Sequence, residues 1–102
     1  MGLLHGLVNC AGVRGVGSLM DWTPEEWERV VAVNLDGTFQ MIHAVLPHMM
    51  RSPEPSSILN ITSIAADVCN PVIHPAYAAS KGALVSLTKH LAATHAKYGI
   101  RC

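Results

Sequence analysis

Residues 37–50 contain no Asp, Glu, Lys or Arg, yet they belong to a helical pattern. Trp27, Val30, Val31, Asn34, Thr38, Met41, Ile42, Val45 and Met49 recur at three- and four-residue steps. A helix that is apolar on nearly every side cannot lie on a surface; it has to be packed on two fronts, which a layered architecture provides. The helix start is sharply marked. Thr23 is placed to act as N-cap, Pro24 sits where a first-turn proline loses nothing, and Glu26 completes a Thr-x-x-Glu capping box. Trp22 and Trp27 occupy the positions of a hydrophobic staple. Gly37 is expected to bend the helix and Pro47 to loosen its end.

The elements around this helix alternate. Gly6-Leu7-Val8-Asn9 is a short apolar run feeding a loop with Gly12, Gly15 and Gly17, and reads as a buried strand. After the proline-rich loop at 52–56, residues 57–63 read as a second buried strand, β-branched and bounded by turn formers. A loop with Asn70, Pro71 and Pro75 leads to a second long helix over about 76–98, with Leu84, Leu87, Leu91 and Thr94 on one stripe and Gly99 as its C-cap. Ile100-Arg101-Cys102 begins a third apolar run. Strand, helix, strand, helix, strand start predicts an α/β chain, one domain over 1–102, with a parallel sheet and right-handed crossovers.

Composition removes several functions. With 7 basic and 7 acidic residues and no basic run, the chain lacks the electrostatic footprint of a nucleic-acid binder. Half its 102 residues are apolar and 14% are charged, against about 25% in ordinary domains, which excludes a disordered tail. So little charge implies that something covers part of the chain. No apolar run reaches the roughly 18 residues of a bilayer span, so no membrane association is expected. The first six residues lack the basic start and apolar core of a secretion signal. Cys10, Cys69 and Cys102 form no CxxC pair and leave one over, which fits neither a disulfide framework nor a zinc site and points to a reducing, cytoplasmic setting. His43 with His48, and His90 with His95, are five apart, a poor metal spacing, so no metal is expected.

Four polar residues stand out on this frame. Tyr77 and Lys81 are four apart, so a helix brings them to one face, where an ammonium can act on a phenol that otherwise holds its proton to about pH 10. The plain alternative is a surface pair one turn apart. Ser63 lies at the exit of the second strand, 14 residues before Tyr77, and strand exits of parallel sheets are where ligands bind; a turn-forming or capping hydroxyl is the alternative there. Asn34 falls on the apolar stripe of the first helix, where an amide needs a partner. That partner is either part of a site or neighbouring backbone at a helix bend.

These residues sit in segments that resemble the short-chain dehydrogenase/reductase family. Leu7-Val8-Asn9-Cys10-Ala11-Gly12 is similar to its NNAG segment, Asn34-Leu35-Asp36-Gly37 to its NxxG motif, and Ile58-Leu59-Asn60-Ile61-Thr62-Ser63 to its serine-bearing strand. Tyr77-Ala78-Ala79-Ser80-Lys81 matches its YxxxK signature. The resemblance implies a partial Rossmann-like, doubly wound parallel sheet and NAD- or NADP-dependent hydride transfer at an alcohol or ketone. It implies Tyr77 as general acid/base, Lys81 as the cation favouring the phenolate and holding the nicotinamide ribose, Ser63 on the substrate oxygen, and Asn34 holding a relay water. Asn9, Ala11 and Gly12 would shape the cofactor wall together with Tyr77 and Lys81.

The departures from the family pattern are specific. Cys10 replaces the second Asn of NNAG, and the Ser63-to-Tyr77 spacing is one longer than the common one, which leaves Thr62 as a rival to Ser63. The glycine-rich βαβ half and the C-terminal strands of the family fold have no counterpart in these residues. Gly12, Gly15 and Gly17 do not replace the pyrophosphate turn, because their spacing is not GxGxxG and the helix starts only near Pro24; they read as a loop on the substrate side. His74, just before Tyr77, would face substrate by family position. Two functions stay open: the catalytic segment of an oxidoreductase that forms dimers or tetramers through the two long helices, or an inactive module that pairs with intact relatives. The unpaired strand edge at Leu7 predicts poor solubility for these residues alone.

Overall fold

The computed structural model describes residues 4–102. The expectation drawn from the first residues therefore falls partly, at 1–3, outside the described residues. Three strands form one sheet in the order β1 (Gly6–Asn9), β2 (Ser56–Asn60), β3 (Ile100–Arg101), all parallel. Leu7 pairs with Ile58, Val8 with Leu59, and Ser56 with Ile100. β2 stops three residues before the expected 63. The Ile61 N–H still donates to the Asn9 carbonyl (2.9 Å), but β1 has ended there, and the Ile61 carbonyl accepts instead from a lysine ammonium.

The first helix starts as its sequence dictates. Thr23 Oγ1 accepts from the Glu26 N–H (3.3 Å) and Glu26 Oε2 from the Thr23 N–H (2.8 Å), opening α1 (Pro24–Val31). The staple positions find another use: both Trp22 and Trp27 reach the His74 ring. The irregularity expected at Gly37 lies just before it. Residues Ala32–Asp36 form a π-helical turn, closed by the Gly37 N–H on the Ala32 carbonyl, before α2 (Gly37–Arg51) continues. Pro47 does not end α2, which runs on to Arg51. The second long helix is α3 (Pro75–His95), tightened into a 3-10 turn at Ala96–Tyr98. Gly99 adopts the left-handed conformation (φ 72°) that stops it, and the Gly99 carbonyl then receives the Ser56 N–H (3.0 Å).

One face of the sheet is covered. Ile42 and Met49 of α2 and Leu91 of α3 pack with Ile58 and Ile100, and Leu7, Val45, Leu46 and Leu87 close around them. The opposite face carries Val8 and Leu59, which are 62% and 54% exposed. The residues described here thus supply one helical layer of a doubly wound α/β fold. The bare face is the apolar surface that the shortage of charge anticipated. Among the described residues no helix is long and apolar enough to cross a membrane.

Candidate active site

The carboxyl ends of β1 and β2 meet the first turns of α3, and the polar side chains collect there. Lys81 is 4% exposed, yet among the described residues no carboxylate pairs with it. Its Nζ donates to the Ile61 carbonyl (2.9 Å) and lies 5.9 Å from the centre of the Tyr77 ring. The end of β2 therefore aims the ammonium, and the helical step brings the phenol beside it. Gly12 faces both from across the gap. A Cβ on Gly12 would lie 3.3 Å from Lys81 Nζ and 3.5 Å from Asn34 Oδ1, so a side chain here would crowd the ammonium. The result is a cleft of about 240 Å³ between Gly12, Val13 and Arg14 on one side and Ile61, Thr62, Tyr77 and Lys81 on the other.

Asn34 builds the first of those walls. The π turn carries it, fully buried, against the loop after β1. Its Oδ1 accepts from the Val13 N–H (2.7 Å), and its Nδ2 donates to the Val13 carbonyl (2.7 Å) and to Ser80 Oγ (3.1 Å). The amide pairs with one backbone residue much as a neighbouring strand would. Ser80, 1% exposed, donates its own hydroxyl hydrogen bond to the Tyr77 carbonyl (2.8 Å), which ties the wall to α3. Sequence reasoning included Ser80 in the YxxxK segment but gave it no role. The signal available was its position three residues after Tyr77, on the same helix face as a buried amide whose location only the fold reveals.

The remaining residues separate. Ser63 Oγ accepts from the Ala65 N–H (3.1 Å) and caps the short turn Ile64–Ala66, the commoner role weighed for it, while Thr62 lines the Tyr77–Lys81 cleft. As an acceptor in that bond, Ser63 keeps its own O–H free to donate. Asn9 Nδ2 donates to Asn60 Oδ1 (2.9 Å), locking the ends of β1 and β2 together. Asn9 and Ala11 line a neighbouring cleft of about 260 Å³ with Thr38 and Met41, and Cys10 borders both clefts. Gly12, Tyr77 and Lys81 are thus brought together, with Asn9 and Ala11 one cleft away. Gly15 and Gly17 serve packing: a Cβ at Gly15 would overlap the Trp22 ring, and Gly17 has φ 119°. His74 is fully buried.

Comparison with known proteins gives a consistent result. The family described as short chain dehydrogenase matches residues 1–102. Among curated proteins, 2-(S)-hydroxypropyl-CoM dehydrogenase 3 of Xanthobacter autotrophicus is 42% identical over 101 residues, which cover 99% of this chain and 39% of that protein. A second protein of the same organism, named inactive 2-(S)-hydroxypropyl-CoM dehydrogenase 2, is 44% identical over 99% of this chain and 43% of its own length. Among solved structures, a 3-oxoacyl-[acyl-carrier protein] reductase with bound NAD from Brucella melitensis superposes with a TM-score of 0.91 at 37% identity, covering 98% of this chain and 40% of that one. A gluconate 5-dehydrogenase from Burkholderia cenocepacia, in complex with NADP and tartrate, gives 0.91 at 39% identity, over 98% of this chain and 38% of its own. The chain spans about two-fifths of the length of the relatives it matches.

Proposed function

The chain belongs to the short chain dehydrogenase family, and from that premise we propose that it carries the catalytic segment of an NAD- or NADP-dependent oxidoreductase acting on a small alcohol or ketone. One observation carries the reading. A lysine almost without solvent contact, and without a carboxylate partner among the described residues, is held by a strand-end carbonyl beside a tyrosine in an open cleft. Burying an unpaired ammonium is costly, and a site that uses the charge gives it a reason.

The residues fit the nicotinamide end of a dinucleotide. The missing Cβ of Gly12 leaves space beside the Lys81 ammonium, which has further protons to donate to ribose hydroxyls after its bond to Ile61. When bound, the nicotinamide supplies or takes up the hydride. The chain's own groups handle the proton. Tyr77 exchanges it with the substrate oxygen, and Lys81 favours the phenolate left behind. The Ser63 O–H donates to the same substrate oxygen and stabilises its developing charge. Asn34 fixes the Val13 wall; a relay water there would meet its carbonyl oxygens, because both amide protons are committed to Val13 and Ser80. Asn9 and Ala11 extend the cofactor wall from the neighbouring cleft.

Assembly as a dimer or tetramer through α2 and α3 is part of the proposal, since Phe39 and Met41 leave apolar surface on α2. A reducing, cytoplasmic compartment suits the free Cys10, Cys69 and Cys102. The inactive name of one close relative favours a second reading, in which the residues pair with intact family members and do no chemistry.

Two measurements separate these readings. Replacing Tyr77 by Phe in the enzyme is expected to lower turnover by about 10²–10⁴-fold while cofactor affinity stays nearly unchanged; undiminished turnover rejects the assignment. In a fluorescence titration of the chain with NADH and NADPH, saturable micromolar binding would contradict the pairing module.

A further inference from the structure

His74 is fully buried, three residues before Tyr77, and takes no part in the proton chemistry proposed above. Its Nδ1 accepts from the Ala76 N–H (3.0 Å), making an imidazole the N-cap of α3. Its backbone N–H donates to the Gly15 carbonyl (3.0 Å), and its carbonyl receives the Tyr77 N–H (3.0 Å). The ring lies flat on Trp22, with centroids 3.6 Å apart and planes at 11°, and meets Trp27 edge-on at 6.1 Å. Around it the two loops are zipped together: Val16 and Ile73 form an antiparallel bridge, and the Gly17 N–H donates to the Val72 carbonyl (3.2 Å).

Histidine is an unusual choice for this position. Ser, Asp, Asn and Thr cap better, and none of them stacks. An imidazole is the one side chain that can accept the Ala76 N–H at its edge while presenting an aromatic face to Trp22. The choice carries a cost: with Nδ1 accepting, the neutral ring keeps its proton on Nε2, and among the described residues that buried atom has no hydrogen-bond partner. Such a cost is retained where the geometry it secures matters.

We propose that His74 is a positioning residue for Tyr77: its imidazole, held in the Nε2–H form between cap and stack, sets the first turn of α3 against the loop that forms the opposite wall of the cleft. Asn34 anchors that loop at Val13, the His74 backbone N–H anchors it at Gly15, and the His74 ring adds the stack on Trp22. The phenol therefore stands at a distance from the Gly12 wall fixed from both ends of one short segment. Gly15 takes part, because a Cβ there would displace Trp22 from the ring. The inference rests on Tyr77 being the proton donor, and the experiment is arranged so that the two fail separately.

Three variants of the enzyme are compared with Tyr77→Phe. His74→Phe keeps a stacking ring and loses the cap. His74→Asn restores an acceptor for Ala76. Gly15→Ala leaves His74 in place and pushes Trp22 away. His74→Phe is expected to lower kcat by about 10- to 100-fold, as displacement of a reacting group by about 1 Å does, with the cofactor KM changed less than about twofold. His74→Asn should recover part of that loss because it restores the cap, and Gly15→Ala, which disturbs only the stack, should lower kcat less than His74→Phe does. An unchanged kcat in His74→Phe, equal loss in His74→Phe and His74→Asn, or a cofactor KM that rises in step with the fall in kcat overturns the proposal. Should His74→Phe not fold, Gly15→Ala and imidazole ¹⁵N spectra of the unaltered chain decide the matter: a proton on Nε2 and a protected Ala76 amide are expected, and a proton on Nδ1 overturns it. Full turnover in Tyr77→Phe would instead sink the oxidoreductase reading while leaving the tautomer and the cap as described.

Discussion

The buried side chains along α3 fall into two chemically opposite groups. Toward its end, Leu84 and Leu91 are nearly closed to solvent, and Leu91 packs with Ile42, Met49, Ile58 and Ile100 in a non-directional apolar cluster. At its start, His74, Ser80 and Lys81 are closed to solvent to the same degree, and each is held by a directed hydrogen bond: to Ala76, to Tyr77 and Asn34, to Ile61, with the His74 ring also stacked on Trp22. Burial by apolar area tolerates small shifts of position, whereas a buried amide or ammonium is stable only where its partner atoms already stand. The apolar end holds the chain together. The polar end holds particular atoms in place.

That contrast can be tested by stability, beginning with the largest effect. Met49→Ala, at a fully buried site, is expected to cost about 2–5 kcal/mol in denaturant unfolding, because the cavity adds to the lost transfer energy. Asn34→Ala should cost about 1–3 kcal/mol, since it leaves the Val13 N–H and carbonyl without partners. Hydrogen exchange of the same variant should find the Val13 amide newly exposed. Lys81→Met sharpens the contrast most: stability should stay within about 1 kcal/mol, because an apolar chain of similar length replaces a desolvated ammonium. A large loss there would place Lys81 among the groups that hold the fold.

The smallest effect is local and depends on pH. The backbone and hydroxyl of Ser18 donate to Asp21 and hold its carboxyl below the usual carboxylate range. A lowered folded value means that the turn is supported above the unfolded value and loses that support as pH falls through the lower, folded one. Acidification should therefore release the Ser18 amide, seen as a change in its NMR shift, while the apolar cluster stays intact. Loss of the core signals over the same range would show the two regions to be coupled.

Much of this arrangement is legible in the sequence. Thr23, Pro24 and Glu26 mark the start of α1 because a capping box is satisfied within four residues. Gly99 marks the end of α3 for a similarly local reason. The Tyr77–Lys81 pair is readable because helical spacing alone puts both on one face. The π turn was not readable: it coincides with the bonds of Asn34 to Val13, 21 residues away. The strand predicted to reach Ser63 ends at Asn60 because its neighbour β1 ends, a fact that residues 57–63 do not carry. Trp22 and Trp27 read as a staple, but the stacking partner arrives from the loop before α3.

The alternation of apolar runs, helical stripes and caps by itself determined the α/β order and the pairing of Tyr77 with Lys81, because each depends on residues close together in the chain, and that order implied a parallel sheet through its crossovers. The tertiary structure alone decided that Gly12 faces the lysine, that Asn34 clamps Val13 to Ser80, and that His74 lies against Trp22. Those contacts join loops and helices distant in sequence, and a directed bond between distant segments exists only once apolar packing has set the distance between them.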